Sequence, residues 1–417
     1  MASPPNILWI VTTQWRAQAM GYAGDPNART PWLDGLASEA INFTQAVTPH
    51  PLGPQARAAL LTGKLCPENG VSDYWDPLPV SARTVAHALH DRGYTTAFFG
   101  KWHLAERDRT APLVGEVHAR MIVPPERRGG FEFWEGFESG FLLNDPWLHG
   151  TRLPAPQHFK GYQADVLVQR AAEWCRSGFT PDVSGINPDL QRPFFCMVSL
   201  EAPHPPYHAP APHVAEVQPG RLKLRANVPT GGLIESQARA ELAGYYAHIE
   251  ATDRAIGQLL AAVDLNDTTV VFTSVHGDMH GSHGQFRKAW PYEESVRVPC
   301  LILPQRAAGP SPSMEEGLDP SPVSLVDLPH MAVAWAEGRT WQCKRDSAEI
   351  SMPAAPPIPL QCPHAWRGFR SAQHKLVLNA AGAPWLYFNL ESDPLEMNNL
   401  AGDPAHHGKI AELQRLM

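Results

Sequence analysis

Charged side chains are scarce in this chain of 417 residues, at 18%, and 34 lysines and arginines face 42 aspartates and glutamates for a net charge of −8. With no basic excess there is no global field to hold nucleic acid. Long apolar runs are missing too; none approaches the ~18 residues of a membrane-crossing helix. Neither nucleic acid nor membrane is therefore expected as a partner. The opening Met1-Ala2-Ser3-Pro4-Pro5-Asn6 has no basic residue and leads into only five apolar ones, Ile7 to Val11, too few for the core of a secretion signal. Cysteine is sparse: Cys66, Cys175, Cys196, Cys300, Cys343 and Cys362 never form a Cys-x-x-Cys pair. Thiols so scattered read as reduced, packed side chains, and the expected compartment is the cytoplasm. Proline, by contrast, is plentiful at 42 residues, against a usual share of ~5%. That argues for long ordered loops on a scaffold and against a helical bundle.

Short apolar runs supply the scaffold. Ile7 to Val11, Thr95 to Phe99, Phe194 to Val198 and Thr268 to Phe272 are near-continuous, as suits strands covered on both faces of a mostly parallel sheet. Between them Arg83 to Arg92, Gln163 to Cys175 and Gln237 to Val263 read as helices. In the last, Leu242, Tyr245, Tyr246, Ile249, Ile256, Leu259 and Leu260 recur at steps of three and four. Strand–helix alternation predicts a doubly wound α/β domain with its ligand site at the carboxyl ends of the strands. The prolines of 203–212 and 353–359 mark loops. The second leads into a small C-terminal α+β subdomain, so the expected division is 1–335 and 336–417.

Six segments carry the recognisable chemistry. They are Pro5-Asn6-Ile7-Leu8-Trp9-Ile10-Val11-Thr12-Thr13-Gln14 followed by Thr30-Pro31; Gly53-Pro54-Gln55-Ala56-Arg57 through Thr62-Gly63; Gly100-Lys101-Trp102-His103; and Ala202-Pro203-His204-Pro205. The fifth is Thr273-Ser274-Val275-His276-Gly277-Asp278, continuing past Lys288, and the last is Leu386-Tyr387-Phe388-Asn389-Leu390 through Asn399-Leu400. In this order they resemble the sulfatase family of the alkaline phosphatase superfamily along almost the whole chain. The resemblance implies that fold, with a large mostly parallel sheet between helices. It also implies a Cys/Ser-x-Pro-x-Arg motif whose first residue matures to a formylglycine, and a divalent cation held by aspartates of the first and fifth segments.

The sequence departs from that pattern where the chemistry is done. Counted back from Arg57, the nucleophile position is Gly53, or Leu52 if Pro54 is aligned with the motif proline; neither can attack anything. The family's Thr-Asp-Gln is Thr12-Thr13-Gln14 and its Ser-Asp-His-Gly is Ser274-Val275-His276-Gly277. Thr13 and Val275 thus stand in place of two metal carboxylates, and Gln14 with His276 is too small a donor set for a hard cation. No metal or other cofactor is expected.

What the resemblance leaves is positive. It assigns His103 and His204 to proton transfer at near-neutral pKa, and Arg57, Lys101, His276 and Lys288 to holding an anionic group. Arg57 also begins a predicted helix, Arg57 to Thr62, whose free N–H groups favour an anion. The expected partner is a small molecule bearing sulfate, sulfonate, sulfamate, phosphate or carboxylate; self-association stays open. Three functions remain: a repurposed enzyme acting on such a molecule without metal, a non-catalytic binder of an anion or a partner protein, and a conventional ester hydrolase using an unrecognised nucleophile such as Thr12, Thr13 or Thr48. Plainer readings exist for single residues. Arg57 could only pin the loop of Gly53; Asp278 and Glu293 could act as bases but read more simply as loop or helix-cap carboxylates. The cluster His276, His280 and His283 invites a transition-metal reading, yet His276 and His280 would share a face only on a helix, and Gly277 and Gly281 argue for a loop.

Overall fold

The computed structural model describes residues 4–177, 192–308, 317–415 and 417; Met1 to Ser3 of the N-terminal segment lie outside them. In chain order the first half contains β1 (Asn6–Thr12), α1 (Pro31–Ala37), β2 (Ile41–Phe43), α2 (Gly53–Thr62), α3 (Val85–His90) and β3 (Thr95–Lys101). There follow α4 (Glu116–Ala119), β4 (Phe133–Phe137), β5 (Trp147–Gly150), β6 (Gln157–His158), α5 (Gln163–Ser177) and β7 (Phe194–Ser199). The second half has α6 (Leu233–Leu260), β8 (Thr268–Ser274), α7 (Glu293–Val296), β9 (Cys300–Leu303), β10 (Leu318–Asp319) and α8 (Asp327–Ala336). The chain closes with β11 (Ser347–Met352), β12 (Trp366–Ser371), β13 (His374–Asn379), β14 (Pro384–Asn389) and α9 (His407–Gln414).

The apolar runs become the middle of a sheet ordered β10-β2-β9-β8-β1-β7-β3-β4-β5-β6. Pairings β8–β1, β1–β7, β7–β3 and β3–β4 are parallel, and antiparallel β9 and β5 flank them. Both faces are covered. Leu8, Ile10 and Val198 pack with α5 and α6 on one side, while Trp9, Val11 and Met197 pack with α2, α3 and α8 on the other. All of β1 after Asn6 is buried, which is why it reads as an unbroken apolar run. The predicted face of α6 is buried at Leu242, Tyr245, Tyr246, Ile249, Ile256 and Leu259. A second, antiparallel sheet, β11-β12-β13-β14, forms the C-terminal α+β part with α9. Among the described residues no helix is long and apolar enough to cross a membrane.

One element corrects the expectation. The helix over Arg57 begins four residues earlier, at Gly53, with Leu52 as its N-cap in extended conformation and a proline in its first turn. Pro54 therefore starts the helix, since its missing N–H would have been unpaired there anyway. Arg57 lies inside α2 and Gly53 takes the terminus.

Candidate functional site

Four parallel strands end together, and the loops leaving them carry the site. β1 delivers Thr13 and Gln14, β3 delivers Lys101 and His103, β7 leads to Glu201 and His204, and β8 to Val275, His276 and Asp278. The N-terminus of α2 brings Gly53 to His103, and an ideal Cβ on Gly53 would fall 2.8 Å from His103 Nδ1. Gln14, His103 and Phe141 hold left-handed backbone angles, φ 74°, 60° and 55°, a strain that non-glycine residues carry mainly at functional sites. All six predicted side chains are buried, from His276 at 0% exposed to His204 and Lys288 at 7%.

Arg57 lies beneath this floor. Its Nη1 donates to Ser199 Oγ (2.6 Å) and to the Lys101 carbonyl (3.1 Å), and its Nη2 donates to Thr13 Oγ1 (2.8 Å). It ties the ends of three strands together, so the pinning role is present whatever else it does. Burial pulls its pKa down to about 10, which leaves it charged at neutral pH. Lys101 donates to Glu201 Oε1 at 2.6 Å with both side chains inaccessible. The site is thus not lined by unpaired cations alone; Glu201 answers Lys101, and burial still draws the lysine down to about 8.

Among the described residues Lys288, like Arg57, has no carboxylate partner. Its Nζ donates to Gln14 Oε1 (2.6 Å) and to His204 Nε2 (2.9 Å), and burial holds its pKa well below the usual lysine range. The other end of Gln14 donates to Asp278, which also accepts from Tyr207 (2.6 Å). Asp278 is therefore a member of the site's network, where from the sequence it reads more simply as a loop or helix-cap carboxylate.

The histidines differ from expectation in charge. Burial and the surrounding cations push His103, His204 and His276 well below the ordinary imidazole range, so they are neutral at pH 7. Near-neutral proton exchange at His103 and His204 is corrected accordingly, because a further buried positive charge beside Arg57, Lys101 and Lys288 costs too much. His204 donates Nδ1 to the Pro205 carbonyl (2.7 Å) and His276 donates Nδ1 to the Gly277 carbonyl (2.9 Å). Among the described residues His276 Nε2 has no hydrogen-bond partner.

Several site residues gave no sign in the sequence. Phe141 stacks on His204 at 4.5 Å and lies under the Lys101 ammonium at 4.2 Å. Arg107 donates to His103 Nε2 at 2.7 Å, and Glu138 lies 3.5 Å from Arg107 Nε. Burial outweighs Arg107 and lifts Glu138 to about 7. Between the ordinary value of 4.5 and 7 the folded chain then keeps a proton that the unfolded chain has lost, so this group makes stability fall as pH rises through that window. Glu138→Gln should remove that slope. Urea unfolding at pH 5 to 8 checks it, and parallel curves for the two proteins would count against a raised Glu138.

The donors standing where the resemblance places a divalent cation do not form an oxygen-rich cradle. Thr13 Oγ1 donates to the Leu200 carbonyl (3.0 Å) and accepts from Arg57, Val275 has no donor, and Gln14 Oε1 is taken by Lys288. Hard cations require several, mostly anionic, oxygens, and these residues do not fit one. Nor do His276, His280 and His283 converge. Among the described residues the group within ligating distance of one another is His283, Glu294 and Glu396, and Arg225 and Lys375 already pair its two carboxylates.

The architecture and this clustering at the strand ends define a sulfatase-type α/β protein, and the Sulfatase family model matches residues 5–338. The chain belongs to the sulfatase family. It is 34% identical over 420 residues to an ulvan-active sulfatase of Formosa agariphila, covering 96% of this chain and 78% of that one. A choline-sulfatase of Rhizobium meliloti is 26% identical over 439 residues, covering 96% and 83%. A putative sulfatase from Bacteroides fragilis has the same fold, with TM-score 0.81 at 24% identity, covering 100% of this chain and 95% of that one. A phosphonate monoester hydrolase of Agrobacterium radiobacter, TM-score 0.72 at 21% identity over 99% and 94%, shares the fold as well.

Proposed function

We propose that this chain is a sulfatase-family protein that has lost the covalent nucleophile and the metal carboxylates and grips a small anion with its own cations, as a repurposed enzyme acting without metal. The observation that carries the reading is the Lys288 ammonium on Gln14 Oε1 at 2.6 Å. An organic cation there engages a donor that the family resemblance assigns to the inorganic one. Sulfate, sulfonate, sulfamate, phosphate or carboxylate all offer the oxygens that Lys288 and Lys101 would bind. The Lys288–His204 contact supplies a route for a proton between amine and imidazole. Transfer or elimination suits this set better than hydrolysis, since nothing in it activates water. The first 335 residues would form the binding domain and 336–417 a subdomain against it.

A threonine nucleophile gains no support. The hydroxyls of Thr12, Thr13 and Thr48 donate to the carbonyls of Thr273, Leu200 and His50. One observation favours the second reading, a non-catalytic anion binder: His103 and His204 are held neutral, which weakens both as acids. Turnover separates the two readings, and anion binding is common to both.

Calorimetric titration of sulfate and phosphate into EDTA-treated protein tests the shared claim. A single site is expected, unchanged by added calcium. An anion beside Lys288 raises the amine's depressed pKa, so binding takes up protons at any pH where part of the amine is neutral beforehand, and there affinity should rise as pH falls. Repeating the titration in buffers of different ionisation enthalpy reads that uptake directly, and no anion binding at any pH sinks the proposal. Gly53→Cys offers a further prediction. The motif proline is at 54 rather than 55, and the new Cβ would displace His103 from its place 2.8 Å away. No formylglycine and no aryl sulfatase activity should appear by mass spectrometry and assay; recovered activity would contradict the reading.

A further inference from the structure

We infer that Arg107 is a positioning residue that fixes His103 as an Nδ1–H donor aimed into the slot beside Gly53, so that the ligand atom filling the slot must accept a hydrogen bond. Arg107 Nη1 lies 2.7 Å from His103 Nε2. A guanidinium has donors only, so Nε2 must present its lone pair and the neutral ring must carry its proton on Nδ1. That Nδ1 is the atom closest to where a Gly53 Cβ would stand, at 2.8 Å. No acceptor among the described residues hydrogen-bonds it. A glycine keeps the slot open where any other residue would close it.

Arg107 is itself held from every side. Its Nη2 donates to the Tyr74 carbonyl, and its guanidinium lies 4.5 Å from the Tyr74 ring and 5.0 Å from the Trp75 ring. Glu138 approaches its Nε and also accepts the backbone N–H groups of Leu104 (3.3 Å) and Ala105 (3.1 Å), the two residues after His103. One carboxylate thereby steadies both the arginine and the turn that carries the imidazole. A side chain so constrained has few ways to reorient, as tautomer control requires.

The acceptor requirement rests on the anion-binding reading, whereas the tautomer does not. Protein labelled with ¹⁵N-histidine therefore separates the two. Long-range ¹H–¹⁵N spectra, with the His103 peaks identified by their loss in His103→Gln, should show the Nδ1–H tautomer in the wild type at pH 7. Arg107→Lys, which still donates, should keep it. Arg107→Met combined with Glu138→Gln, which strands no buried carboxylate, should shift His103 toward Nε2–H and weaken sulfate binding tenfold or more. An Nε2–H or charged His103 in the wild type overturns the inference. So does an unchanged tautomer in the double variant. If the double variant does not fold, the wild-type and Arg107→Lys spectra still decide. A wild type that binds no sulfate yet shows Nδ1–H removes the function and leaves the positioning role intact.

Discussion

Lys101→Met should destabilise the protein by about 3–5 kcal/mol, because it strands a buried charge. Glu201 is wholly inaccessible; beyond the 2.6 Å contact from Lys101 its carboxylate has Gln163 Nε2 at 3.1 Å and, among the described residues, no other cation in contact. Guanidinium unfolding of the single variant measures the loss. Replacing both partners, Lys101→Met with Glu201→Met, should return most of the stability, since two apolar side chains of similar size leave nothing unpaired. Sulfate affinity should fall in both variants. Stability and ligand binding are thereby separated at one position. A single variant that loses under about 1 kcal/mol would mean that the pair is not a buried ion pair at all.

Lys288→Met should behave in the opposite way, with a modest effect on stability and a large one on ligand. Among the described residues no carboxylate contacts Lys288, so its loss strands no buried charge; it leaves only Gln14 Oε1 and His204 Nε2 short of a donor. The ammonium is the group proposed to meet the anion, and a charge-assisted bond in a buried site is strong. Sulfate affinity should drop about 100-fold, equivalent to about 2.8 kcal/mol, and the proton uptake on binding should vanish with it. Calorimetry on the variant reads both quantities. Wild-type affinity in Lys288→Met would remove this residue from the site.

The strands that hold the site were legible because each is buried on both faces and so reads as an unbroken apolar run. Two- and three-residue strands such as β2, β6 and β10 carry no periodicity and could not be read. The start of α2 was missed because Gly53-Pro54 reads as a loop, although a proline is well suited to a first turn. His103, His204, Lys101 and Lys288 converge, and their motifs named them. Their partners did not announce themselves. Glu201, Glu138 and Arg107 are single charged residues after strands, and Phe141 is one aromatic in a glycine-containing loop; only the fold brings them to the site. Charge state was equally hidden, since a histidine's pKa depends on burial that no spacing records.

The central claim is that protein cations do here what a nucleophile and an inorganic ion do in the family pattern. Crystals grown with calcium and then soaked in selenate test it most directly, because anomalous scattering locates both elements. The account predicts selenium beside Lys101 and Lys288, near the orphaned His276 Nε2, and no calcium between residues 13 and 275. Calcium bound between those residues, or selenate found only elsewhere, would contradict it.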